Sequence, residues 1–110
     1  MTREFIMTPV FDKNWKSLRL TDDDLKAIQE YLLKNPGAGD MISGTGGLIK
    51  LRWSMFDKGK SGGVRTLYVD FMKQEKTIFV NCYGKSQKDS ISDAEKAMYK
   101  NLISQIGKEL

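Results

Sequence analysis

A chain of 110 residues with 40% hydrophobic side chains fills one modest core and not two, so residues 1–110 read as a single domain. With no histidine and only Cys82 as a cysteine, the usual zinc ligands, the usual general base and an internal disulfide are all missing, and neither a metal nor a cofactor is expected. The net charge of +4 sits in one window: Lys50, Arg52, Lys58, Lys60 and Arg65 face the single acid Asp57, and removing those five from 18 basic and that one from 14 acidic residues leaves 13 of each. An excess confined to one stretch points to an anionic partner more strongly than the same excess spread over a surface.

Residues Met1 to Ile6 form no extended apolar leader, and no run approaches the roughly 18 apolar residues of a membrane span, so a cytoplasmic location without membrane contact is expected. Arg3 to Thr8 has the length of a short strand that Pro9 interrupts. Phe11, Trp15 and Leu18, spaced four and three apart, predict a helix with an aromatic inner face. The next helix starts at Thr21 as N-cap. Asp22, Asp23 and Asp24 complement its dipole and read as a solvated helix start, not a metal site, while Leu25, Ile28 and Leu32 form its apolar stripe. Asn35-Pro36-Gly37 ends it.

From Met41 the period changes. Ile49, Leu51, Trp53 and Met55 alternate with Lys50, Arg52 and Ser54, so Lys50 and Arg52 project from one side of a strand. Asp57 to Gly63 carries three glycines in seven residues and reads as a mobile hairpin loop holding Lys58 and Lys60. A second strand is expected from Val64 to Phe71, with Arg65 on the side of Leu67, Val69 and Phe71 and opposite Tyr68; whether that side meets a cleft depends on register or on a bulge near Gly62-Gly63. A third strand, Thr77 to Tyr83, is expected to point Ile78, Val80 and Cys82 one way and Phe79, Asn81 and Tyr83 the other. Tyr68 and Tyr83 are candidates for stacking on bases, with packing as the competing role. Cys82 reads as a small core residue. Ser92 to Glu95 has the capping-box pattern of a last helix, whose stripe is Ala94, Met98, Leu102 and Ile106. The sum is an α+β chain: two N-terminal helices packed on a small, mostly antiparallel sheet, then a C-terminal helix.

Neither Gly59-Lys60-Ser61 nor Gly84-Lys85-Ser86 completes a nucleotide-binding loop, because the glycine such a loop needs five positions earlier is Ser54 or Phe79. Gly44 to Gly47 leads into a strand and reads as a turn needing positive φ angles. What remains is the basic set itself. On one strand face and the segment beyond it, Lys50, Arg52, Lys58, Lys60 and Arg65 suit a sugar-phosphate backbone.

The string DMISGTGGLIKLR from Asp40 to Arg52, then GKSGGVR from Gly59 to Arg65, then Tyr83-Gly84-Lys85 before a closing helix, resembles the RelE/ParE toxin superfamily, most nearly the HigB-type toxins of type II toxin-antitoxin systems. The resemblance implies a RelE-like fold and cleavage of messenger RNA in the ribosomal 30S A site, inhibiting translation. It also implies a HigA-like antitoxin with a helix-turn-helix part, through which alone operator DNA would be bound. By position it assigns Lys50, Arg52 and Arg65 to the family's basic residues, and Lys85 to the basic position after the last strand. Where RelE itself carries a further arginine and a catalytic tyrosine, this chain has Ser86 and, approximately, Ser92; Tyr83 and Tyr99 stand elsewhere.

A mechanism without histidine follows from the basic set. A ribose 2′-hydroxyl attacks the adjacent phosphate, Lys50 or Lys85 serves as base, and Arg65 stabilises the phosphorane. The alternatives are a ParE-like toxin acting on gyrase by protein contact, and an RNA-binding module without catalysis.

Overall fold

The computed structural model describes residues 2–55, 60–85 and 90–110, and of residues 55 and 60–62 the backbone alone. The order is β1 (Glu4–Met7), α1 (Pro9–Ser17), α2 (Asp22–Lys34), β2 (Asp40–Met41), β3 (Ile49–Met55), β4 (Lys60–Phe71), β5 (Lys76–Gly84) and α3 (Asp93–Glu109). The expected α+β plan holds, with one strand placed ahead of the helices. The five strands form one sheet in the order β1-β5-β4-β3-β2, antiparallel except that β1 lies parallel to β5.

Local chemistry sets the helix starts. Thr8 caps α1, accepting from the Phe11 N–H at 3.1 Å, and Pro9 occupies the first turn, where no N–H is needed. Thr21 with Asp24, and Ser92 with Glu95, close reciprocal capping boxes on α2 and α3. From α1 and α2, Phe11, Trp15, Leu25, Ile28 and Leu32 pack on one face of the sheet against Leu51, Val64, Tyr68 and Phe79. On the opposite face α3 lays Tyr99 and Ile103 against Leu67, Val69, Ile78 and Val80. Each such side chain contributes about 1.5–3 kcal/mol by leaving water, so the two cores hold the sheet from both sides.

Two expected faces are corrected. Along β5, Thr66 pairs with Cys82 and Leu67 with Asn81, but Tyr68 pairs with Phe79, so Val80 is an extra residue on the β5 side of the register shift. That bulge puts Cys82 in the core with Phe79 and turns Tyr83 to the α3 side with Ile78 and Val80, the reverse of strict alternation. On α3 the buried stripe is Tyr99 and Ile103, while Met98 and Leu102 stand 53% and 38% exposed. The stripe is rotated because α3 rests on the sheet through Tyr99, whose hydroxyl meets Asn81 Nδ2 at 2.9 Å.

Candidate active site

Three strands bring the basic residues to one end of the sheet. In register, Arg52 of β3 lies directly opposite Arg65 of β4, and Arg65 lies directly opposite Tyr83 of β5. Direct partners share a face, so the three side chains form one row on the α3 side of the sheet, with neighbouring Cα atoms ~4.5–5.5 Å apart. Lys50, two residues before Arg52 on the same face, pairs with Leu67. The doubt about Arg65's side is thereby resolved: it shares a face with Lys50 and Arg52.

Gly63 makes this row possible. Between the pairs Trp53–Val64 and Met55–Lys60, β3 has one residue, Ser54, and β4 has three, Ser61 to Gly63. Gly63 takes φ +70°, and a Cβ there would stand 1.9 Å from the Trp53 carbonyl oxygen. Only glycine fits, and it sits two residues before Arg65. The Lys85 N–H donates to the Gly63 carbonyl at 3.4 Å, which brings the exposed Lys85 to the same end.

Exposure divides the set. Arg52 and Lys85 are exposed and Lys50 is half-buried, whereas Arg65 is only 5% exposed. A guanidinium kept from water beside another arginine is not a solvated surface charge. The backbone of Lys60 begins β4; Lys58 and Ser86 lie outside the described residues.

Of the two roles open to Tyr68 and Tyr83, stacking on bases or packing, the structure places both rings in packing. Tyr68 is buried against Phe79, its hydroxyl donates to the Ala38 carbonyl at 2.6 Å, and burial, with Asp70 and Tyr31 adding, pushes its phenol well above the ordinary value. Tyr83, 5% exposed, packs in the α3-side core and presents no open ring. Cys82 is the core residue expected, its thiol pushed up to about 12 by burial. The Gly44–Gly47 loop is the turn expected: Gly44, Gly46 and Gly47 have positive φ, and Thr45 bridges the Ile42 carbonyl and the Leu48 N–H. Among the described residues, no group of three or more His, Cys, Asp or Glu side chains is placed to hold a metal ion.

A family model described as the RelE toxin of the RelE / RelB toxin-antitoxin system matches residues 4–109. The chain belongs to the RelE toxin family. It is therefore the toxin of a toxin-antitoxin pair, and a cognate antitoxin is its partner. No described helix of this RelE-family toxin is long and apolar enough to cross a membrane. Sequence reasoning missed two things at this end of the RelE fold. One is the direct Arg52–Arg65 pairing, which needs the register of two strands. The other is a pocket of about 350 Å³ lined by Tyr31, Leu51, Arg52, Trp53 and Ser54; the aromatic Trp53 within a basic strand was its only sequence signal.

Proposed function

We propose that this RelE-family toxin is a metal-independent endoribonuclease that cuts messenger RNA in the ribosomal A site, as a HigB-type toxin of the cytoplasm. The observation that carries the reading is the Arg52–Arg65 pair on the α3 side of the sheet. The register sets the two arginines on one face at the same end of the sheet, where a pair of guanidinium groups can meet the oxygens of one phosphodiester.

In this reading the ribose 2′-oxygen forms a bond to phosphorus as the bond to the 5′-oxygen breaks, leaving a 2′,3′-cyclic phosphate and a 5′-hydroxyl. Lys50 and Lys85 flank the arginine row on β3 and just beyond β5. One takes the 2′-hydroxyl proton as base, and the departing 5′-oxygen takes a proton from water. Arg52, exposed, meets the phosphate first, and Arg65 then meets the charge of the phosphorane. Lys58 and Lys60 extend the grip along the backbone.

The test is brief expression followed by mapping of cleavage sites in cellular messages, with wild type and Arg65→Ala. In-frame cuts that fall by ~100-fold or more in the variant are expected. Wild-type cleavage by Arg65→Ala removes the assignment of Arg65; gyrase-linked DNA damage without RNA cuts replaces the reading with a ParE-like one.

A further inference from the structure

Where β1 stops, a polar junction joins the two helical layers. β1 ends at Met7, opposite Phe79, and Pro9 then opens α1, so β1 gives β5 no partner beyond that point. Asn81, the residue of β5 after the extra Val80, bridges the layers with its side chain. Its Oδ1 accepts from the Cys82 N–H at 2.8 Å and from Asn14 Nδ2 of α1 at 2.7 Å, and its Nδ2 donates to the Tyr99 hydroxyl of α3 at 2.9 Å.

The backbone fixes the direction of this chain. A peptide N–H can only donate, so Asn81 turns its oxygen to Cys82 and its nitrogen to Tyr99. The Tyr99 hydroxyl is therefore the acceptor of that bond, and its own proton is left to donate. Among the described residues no acceptor receives it, and Tyr99 is only 2% exposed.

Tyr99 and Asn81 line a cleft of about 370 Å³ between the start of α1 and α3, with Val10, Val80, Met98, Leu102 and Ile106 among its apolar walls. The rotation of α3 leaves it open: Met98 and Leu102, which a helix seated on the expected stripe would bury, stand exposed, as Val10 does. Apolar walls around a few convergent polar groups, at this size, are the usual makeup of a small-molecule site. The lining also selects charge. No lysine or arginine lines the cleft among the described residues, so a carboxylate entering it would give up water with only neutral donors in return. A neutral acceptor on an apolar body fits the donor and the walls together.

We propose that this cleft binds a small, neutral, apolar compound bearing one carbonyl, as in an ester, amide or ketone. The carbonyl oxygen accepts from the Tyr99 hydroxyl, and the hydrocarbon part lies against Val10, Met98 and Leu102. None of the basic residues of the candidate active site lines the cleft.

Acetophenone is the probe, titrated into the free toxin and followed residue by residue by NMR. Ethylbenzene, which has the same shape without the oxygen, and benzoate, which is charged, serve as comparisons. Saturable shifts at the Asn81 side-chain amide and at Val10, Val80, Met98 and Leu102 are expected, with a Kd of about 1 mM or tighter. Ethylbenzene and benzoate are each expected to bind ~5-fold or more weakly. Tyr99→Phe is expected to cost acetophenone the same ~5-fold and to leave ethylbenzene unchanged. Val10→Glu adds a carboxylate to the exposed rim, in the first turn of α1 where an acid suits the helix, and is expected to weaken both compounds without lowering the melting temperature. The absence of saturable shifts at the cleft overturns the proposal. So does ethylbenzene binding as tightly as acetophenone, benzoate binding more tightly, or an acetophenone affinity that Tyr99→Phe leaves unchanged. Shifts at the same residues that grow with protein concentration and exclude the probe make the occupant a second copy and overturn it too. No RNA or antitoxin enters the measurement, so this proposal and the nuclease reading fail separately.

Discussion

Two arginines lie nearly out of water at opposite ends of the sheet, and they are treated differently. Arg3, just before β1, donates through Nε to Asp70 Oδ1 of β4 at 3.1 Å, with side-chain exposures of 6% and 9%, and Thr77 of β5 donates to the same carboxylate oxygen at 3.4 Å. At the other end, Arg65 has Arg52 and Tyr83 as its direct cross-strand partners, neither of them an acid. The first arrangement spans β5 and ties the parallel edge strand to the sheet. The second sets cation against cation and works against the sheet that carries it. A carboxylate meets the first arginine, whereas a like charge lies directly across the strand from the second.

The largest expected effect breaks the structural end. Asp70→Ala leaves Arg3 buried without its carboxylate and is expected to cost about 3–5 kcal/mol, read as a fall in the denaturant midpoint. Double substitution with Arg3→Met is expected to recover much of that loss, because the cost is the stranded charge. If the double variant is no better than the single one, the pair is not what holds β1, and the contrast between the two ends weakens.

Next comes the scaffold of the basic end. Gly63→Ala puts a methyl group against the Trp53 carbonyl at a positive φ, and is expected to cost about 1–3 kcal/mol while shifting Arg65 relative to Arg52. Both RNA cleavage and stability fall in this variant, whereas Asp70→Ala acts on stability alone once the folded fraction is allowed for.

How much of this was legible follows from range. The N-cap at Thr21, the capping box at Ser92 and the Lys50/Arg52 alternation depend on neighbours within a turn or a strand, and they appear as the sequence predicts. The side of Arg65 was correctly tied to Leu67 and Val69, but its partner Arg52 is 13 residues away and emerges only with the register. The faces of Cys82 and Tyr83 were inverted because one extra residue in β5 resets the alternation, and nothing in Val80-Asn81 announces it. Asp70 and Arg3 are 67 positions apart, so no local pattern joins them.

The core between the two ends gives a smaller effect, with a definite sign. The buried Cys82 thiol is raised from 9.0 to about 12, so the folded state keeps its proton after the unfolded state has lost it. Stability from this group is full below pH 9 and falls as pH rises from 9 towards 12, by about 1.4 kcal/mol at pH 10. Tyr68, raised in the same direction, adds to the fall above its ordinary 10.0. Cys82→Ala is expected to flatten the pH 9–10 part of the curve. A flat wild-type curve in that range shows that the thiol is less enclosed than its place beside Phe11 and Phe79 implies.

The smallest effect sharpens the comparison most. Arg52→Thr removes one of two like charges directly opposite each other and installs a good strand former, so it is expected to stabilise the fold by about 0.2–0.5 kcal/mol, at the low end because Arg52 is exposed and screened. On the proposed function the same change slows RNA cleavage. A gain in stability joined to a loss of activity is the signature of a residue kept for its ligand at the expense of the fold. Lower stability on losing Arg52 would show that the arginine row is held together by the fold after all, and the contrast with Arg3 and Asp70 would fall.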